Sequence, residues 1–131
     1  MEKRMNKEEV LKLLESLKID KNEFYILSSC ALVLRGLFDS AGDLDIGVTE
    51  KGLEELKGNY DLKQKENGWY IVNDKIECVL DTLEGKVEKY GEYYLQSLPN
   101  YFEYLERTKR EKDKLKYEIV KKELQKRKVI D

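Results

Sequence analysis

There is no histidine in this chain, and that absence removes the commonest general base together with every Ser-His or Cys-His catalytic scheme. It also leaves zinc without its usual nitrogen ligand. The two cysteines, Cys30 and Cys78, lie far apart among apolar neighbours with no C-x-x-C spacing, so no zinc site is indicated and two reduced, mostly buried thiols are expected. No apolar run approaches the length of a membrane span, and the N-terminal stretch "MEKRMNKEEV" lacks the apolar core of a signal peptide. Both absences point to a cytoplasmic protein with no membrane partner. Neither sign of charge dominates, with 25 basic residues against 27 acidic ones, which argues against nucleic-acid binding driven by net charge while leaving room for a local basic patch. Any chemistry must run on carboxylates, hydroxyls, lysines and a bound metal.

What the chain does contain suits one domain spanning residues 1–131, with no repeat, low-complexity tract or Pro/Gly-rich linker to divide it. Asn6 followed by Glu9 predicts a capping box, and Val10, Leu13, Leu14 and Leu17 then share one face of a first helix. "FYILS" has the composition of a short buried strand, "SCALVLRGL" that of a helix stopping near Gly36, and "DLDIGV" the alternation of a strand with one face buried. Thr49 can cap a short helix through "KGLEEL". After it, "NYDLKQ", "GWYIVN" and "KIECVL" predict a three-strand meander, and "KYGEYYLQ" one more short strand. Ser97 before Leu98 and Pro99 predicts a helix start. The stretch "REKDKLKYEIVKKELQKR" predicts a long terminal helix with Leu115, Ile119 and Leu124 on its inner side. This order of elements indicates an α+β or α/β domain built on a mixed sheet.

The chemistry concentrates between Leu27 and Val48. On a strand, residues two apart point the same way, so Asp43 and Asp45 share a face while Leu44 and Ile46 pack on the other. The plain interpretation is the wet face of an edge strand. Aspartate is disfavoured inside strands, however, and two parallel carboxylates between core residues call for a compensating cation, with oxygen-only ligands favouring Mg²⁺ or Mn²⁺. A calcium loop fails locally, because Val48 stands where its sharp-turn glycine belongs. Upstream, Ser28 and Ser29 fall between the strand "FYIL" and the helix "CALVLRG". There they can cap the helix or, with its backbone N–H groups, stabilise a phosphate. A phosphate cradle beside a carboxylate pair makes the two halves of a site for a metal-bound nucleoside triphosphate.

This stretch resembles the nucleotidyltransferase superfamily related to DNA polymerase beta, whose signature is a hydrophobic residue, Gly-Gly or Gly-Ser, about a dozen residues, then Asp-x-Asp. Here the pattern is Leu27, Ser28, Ser29, thirteen residues and "DLDI". It is most similar to small bacterial nucleotidyltransferases, including those of abortive-infection toxins, in which "GGxALVLxG" precedes a "DIDL" strand. Their C-terminal "R-x-K-D" segment is matched by "REKD" at 110–113.

The resemblance implies an α+β, mixed-sheet nucleotidyltransferase-like fold flanked by helices. It also implies transfer of a nucleoside monophosphate from a Mg²⁺-bound nucleoside triphosphate to an acceptor hydroxyl. Asp43 and Asp45 would hold the metal, Ser28 and Ser29 would contact the triphosphate, and Arg110 and Lys112 would offset phosphate charge. Glu77 in "KIECVL" would be the third carboxylate, catalytic and metal-binding, with Asp81 on the same strand face as the fallback. One departure is that Ser28 stands where the signature has glycine, which lets backbone and phosphate approach closely. That departure motivates an alternative, a catalytically degenerate member binding a nucleotide or a protein, as in a toxin–antitoxin pair. A third reading, a helical interaction module, places the function on the charged terminal helix.

Overall fold

The computed structural model describes residues 4–130; Met1, Glu2, Lys3 and Asp131, which include both ends of the expected domain and the start of the stretch read for a signal peptide, lie outside the described residues. Helix α1 (Lys7–Ser16) begins at the expected capping box: the Asn6 side chain accepts the Glu9 N–H at 3.0 Å, and the Glu9 carboxylate accepts the Asn6 N–H at 3.1 Å. Its Val10 and Leu14, with Leu17 just beyond, are buried. Strand β1 (Phe24–Ile26) leads directly into α2 (Ser28–Leu34), then β2 (Leu44–Val48) and α3 (Glu50–Asn59). Thr49 caps α3 as its position predicts, accepting the Gly52 N–H.

The expected meander forms as β3 (Lys63–Gln64), β4 (Tyr70–Ile71) and β5 (Ile76–Leu80), joined by antiparallel pairing, although its first two strands shrink to two residues each. "KYGEYYLQ" lies in two strands rather than one. It forms most of the hairpin β6 (Val87–Tyr90) and β7 (Tyr93–Gln96), because Gly91, with φ +62°, takes the left-handed conformation that a two-residue hairpin loop needs. Helix α4 (Leu98–Thr108) starts at Ser97 with Pro99 in its first turn. Helix α5 (Lys114–Lys126) starts later than predicted, since residues Glu111–Asp113 form a separate 3₁₀ turn.

The sheet has seven strands in the order β3-β4-β5-β2-β1-β7-β6. It is mixed: β2 runs parallel to β5 and β1 parallel to β7, while the other neighbours are antiparallel. With five α-helices among the described residues, the protein is α+β, and no helix is long and apolar enough to cross a membrane. One face of the sheet carries Leu44, Ile46 and Val48 of β2 with Ile76 and Cys78 of β5, all buried in a core shared with α1, α2 and α3. A second core joins Leu32 of α2 to Leu98, Tyr101 and Leu105 of α4 and to Val120 and Leu124 of α5. Helix α2 is thus wedged between two cores, which explains why Cys30 through Leu34 are all buried.

Period-two alternation leaves Asp45 and Gly47 of β2, Glu77 and Val79 of β5, and Tyr25 of β1 on the opposite face. Gly47 is required there, because a Cβ at that position would lie 2.3 Å from Cε1 of the Tyr25 ring. The inner side of α5 differs from the prediction. Leu115 is 63 % exposed, and the buried stripe runs through Val120 and Leu124, continued one turn earlier by the half-buried Lys116. Leu115 thus lies on the outer face of the first turn of α5.

Candidate active site

Two bonds stitch the D-L-D backbone to the start of α2 and the residue before it. The Leu27 N–H donates to the Asp45 carbonyl at 2.9 Å, and the Cys30 thiol donates to the Asp43 carbonyl at 3.1 Å. They hold Ser28 and Ser29 beside the two aspartates, although 13 residues separate Ser29 from Asp43 in the chain. Ser28 has φ +52°, the left-handed conformation that glycine occupies without penalty. The backbone at this turn is therefore one that favours glycine. Neither serine caps α2, which has no side-chain cap. Instead, Gln96 at the end of β7, itself buried, accepts the Ser28 N–H at 3.0 Å through Oε1 and donates through Nε2 to Asn100 Oδ1 at 2.8 Å.

In the parallel pairing of β2 with β5, Asp45 stands directly opposite Glu77. Burial, followed by the neighbouring charges of Glu77 and Asp43, pushes the Asp45 carboxyl up to about 6 against an ordinary value of 3.8. Lys65 works against this shift without cancelling it. Just beyond β3, it reaches Glu77 Oε1 at 3.0 Å. Among the described residues, no three acidic, cysteine or histidine side chains converge as a ready-made metal site. The pair Asp43 and Asp45 offers the hard oxygen donors that suit Mg²⁺, whereas one oxygen of Glu77 is held by Lys65. Asp81, the fallback third carboxylate, is committed elsewhere. It accepts Tyr25 O–H at 2.6 Å and Lys86 Nζ at 2.7 Å, and although burial acts to raise its carboxyl, these bonds hold it below the ordinary value.

Ser28, Ser29, Asp43, Asp45, Arg110 and Lys112 all line one cavity of about 500 Å³; Glu77 does not. Arg110 and Lys112 reach it because "REKD" forms the turn before α5 rather than part of a solvated helical face. The cavity also takes in residues that sequence reasoning missed, among them Arg4, Trp69, Gln96, Asp113 and Lys116. Asp113 is only 3 % exposed, and its carboxylate anchors Arg110 Nε at 2.7 Å and faces Lys116 Nζ at 3.7 Å. Burial lowers the Lys116 ammonium; Asp113 opposes that shift, while Arg4, Lys112 and Arg110 add to it. A half-buried lysine crowded by three other cations is a natural anion contact. Its one sequence signal was a lysine four residues before Val120 on a buried stripe. Trp69 and Tyr104 supply an aromatic wall, with the guanidinium groups of Arg107 and Arg110 each 5.8 Å from the Tyr104 ring centre. The two thiols are free and buried, and burial first, then nearby acids, pushes Cys30 up to about 12 and Cys78 to about 11. They are not nucleophiles at neutral pH.

Compared with known proteins, the chain matches no family model, no curated protein and no solved structure.

Proposed function

We propose that this protein is a nucleotidyltransferase, moving a nucleoside monophosphate from a Mg²⁺-bound nucleoside triphosphate to an acceptor hydroxyl. The observation that carries the reading is the gathering, in a single cavity, of a seryl turn, an aspartate pair and four cationic side chains from distant parts of the chain. Asp43 and Asp45 would hold the metal, whose positive charge would offset theirs and that of the phosphates. Arg110 and Lys112, with Arg4 and Lys116 beside them, bind and orient the phosphate chain. Trp69 or Tyr104 offers a face on which a base can stack. Glu77 stands opposite Asp45 but outside the cavity lining; in this reading it would accept the proton of the acceptor hydroxyl only after swinging away from Lys65, an ion pair of a kind that contributes only about 0–1 kcal/mol.

A second reading is a catalytically degenerate member of the same fold that binds a nucleotide or a protein. The Lys65–Glu77 pair and serine in the glycine position favour it. Titration of the purified protein with each nucleoside triphosphate, with and without Mg²⁺, tests both. Metal-dependent binding that is lost in an Asp43→Asn, Asp45→Asn double variant is the expected result. No binding of any triphosphate by the wild type would sink the enzyme hypothesis. Binding without nucleotide turnover would favour the second reading.

A further inference from the structure

The hydrogen bonds that hold the seryl turn also fix the orientation of an amide beyond it. The Ser28 N–H can only donate, so Gln96, 6 % exposed, must present Oε1 to it at 3.0 Å. Gln96 Nε2 then faces Asn100, which must present Oδ1, at 2.8 Å. The Asn100 backbone is held in turn, as the third residue of α4, by donating its N–H to Ser97 Oγ at 3.2 Å. What remains of Asn100 is its Nδ2 group, a donor that is not enclosed by the protein and has no partner among the described residues. Neither amide can be turned over without losing a bond, so Asn100 presents N–H and not oxygen.

Asn100 lines a second cavity, of about 260 Å³. Leu27, Trp69, Gln96 and Tyr104 line both this cavity and the nucleotide cavity, so the two adjoin along those side chains. The phosphate contacts Ser28, Ser29, Arg110 and Lys112 belong to the first cavity, whereas the aromatic walls are common to both. Of the two acids in the second cavity, Asp81 is engaged by Tyr25, Lys86 and the Thr82 N–H, and Glu103 is exposed. A ring laid against Trp69 or Tyr104 therefore meets donors on its inner edge, with the oriented Asn100 Nδ2 among them.

We propose that this second cavity holds the base of the nucleoside triphosphate, and that Asn100 selects bases carrying a carbonyl, guanine and uracil, over those carrying an amino group at the same place, adenine and cytosine. The inference rests on the transferase reading and adds to it the class of nucleotide used. A carbonyl accepts the Asn100 N–H, whereas an amino group in its place sets donor against donor and leaves both unpaired, a mismatch worth about tenfold in affinity.

The test is isothermal titration of the full chain with GTP, UTP, ATP and CTP in Mg²⁺, with the fluorescence of Trp69, the only tryptophan in the chain, reporting where the base sits. GTP and UTP are expected to bind about tenfold more tightly than ATP and CTP and to change the Trp69 emission. Asn100→Asp still accepts Gln96 Nε2 but offers the base an acceptor, and an acid in the first turn of a helix is well tolerated. It should reverse the order of the four triphosphates while the need for Mg²⁺ persists. Inosine triphosphate, with a carbonyl where ATP has its amino group, should bind the wild type about tenfold more tightly than ATP, a comparison that decides alone should the variant fail to fold. Equal affinity for the four triphosphates, a preference for ATP and CTP, an order unchanged in Asn100→Asp, or binding that leaves Trp69 emission unaltered would overturn the proposal and leave the transferase reading standing. No binding of any triphosphate by the wild type would remove both.

Discussion

Ser28 and Asp45 are the two residues whose local state says most about the site. Serine at φ +52° is held in a conformation that costs about 1–3 kcal/mol for a non-glycine residue. Ser28→Gly is therefore expected to raise stability in urea unfolding by about 0.5–1 kcal/mol, less than the full strain because glycine also loosens the unfolded chain. Nucleotide binding should survive that change, since the backbone already follows the glycine path. For Asp45, the folded protein holds the carboxyl proton up to about 6, whereas an ordinary aspartate releases it near 3.8. Between those values the folded state binds more protons than the unfolded one, so this group's contribution makes stability fall as pH rises through the window. Asp45→Asn should flatten that slope and make the protein more stable at pH 7 by about 1–2 kcal/mol, as read from unfolding curves at pH 4 and pH 7. An unchanged pH slope would show that Asp45 is not the strained acid.

At the scale of elements, helix starts marked by a local cap were legible, and the start of α5, which has no side-chain cap, was not. The capping box of α1 and the Thr49 and Ser97 caps are local signals, each contained within four residues, and all three formed. Helix α5 has no such cap; the buried Asp113 at its start is bonded to Arg110 and faces Lys116 instead. Leu115, read as an inner residue, lies outside. The expected consequence is a contrast: Leu124→Ala should cost about 2–5 kcal/mol and Leu115→Ala no more than about 0.5 kcal/mol in the same denaturation assay. The β6–β7 hairpin likewise hid a turn at Gly91 inside what looked like one continuous strand.

The whole molecule decides whether the carboxylates can act together. The β3–β4 hairpin presents Lys65 to Glu77 and Trp69 to the cavity, so a peripheral two-stranded ribbon controls both the third acid and one wall. Lys65→Gln should release Glu77 and tighten Mg²⁺-dependent nucleotide binding severalfold if Glu77 belongs to the metal site, and leave it unchanged if Glu77 is only a partner of Lys65; isothermal titration separates the two outcomes. The sequence by itself determined that helices and strands alternate around a mixed sheet, that Leu44 and Ile46 face the core with Asp45 turned away from it, and that both cysteines are buried, because each follows from element order or from periodicities of two or 3.6 residues. Only the tertiary structure decided that Arg4, Trp69 and Lys116 share a cavity with Asp43 and Asp45, that Asp81 is tied to Tyr25 and Lys86, and that Glu77 meets Asp45 across a parallel pair. These are contacts between segments tens of residues apart, set by strand order and helix packing, and no local pattern in the chain encodes them.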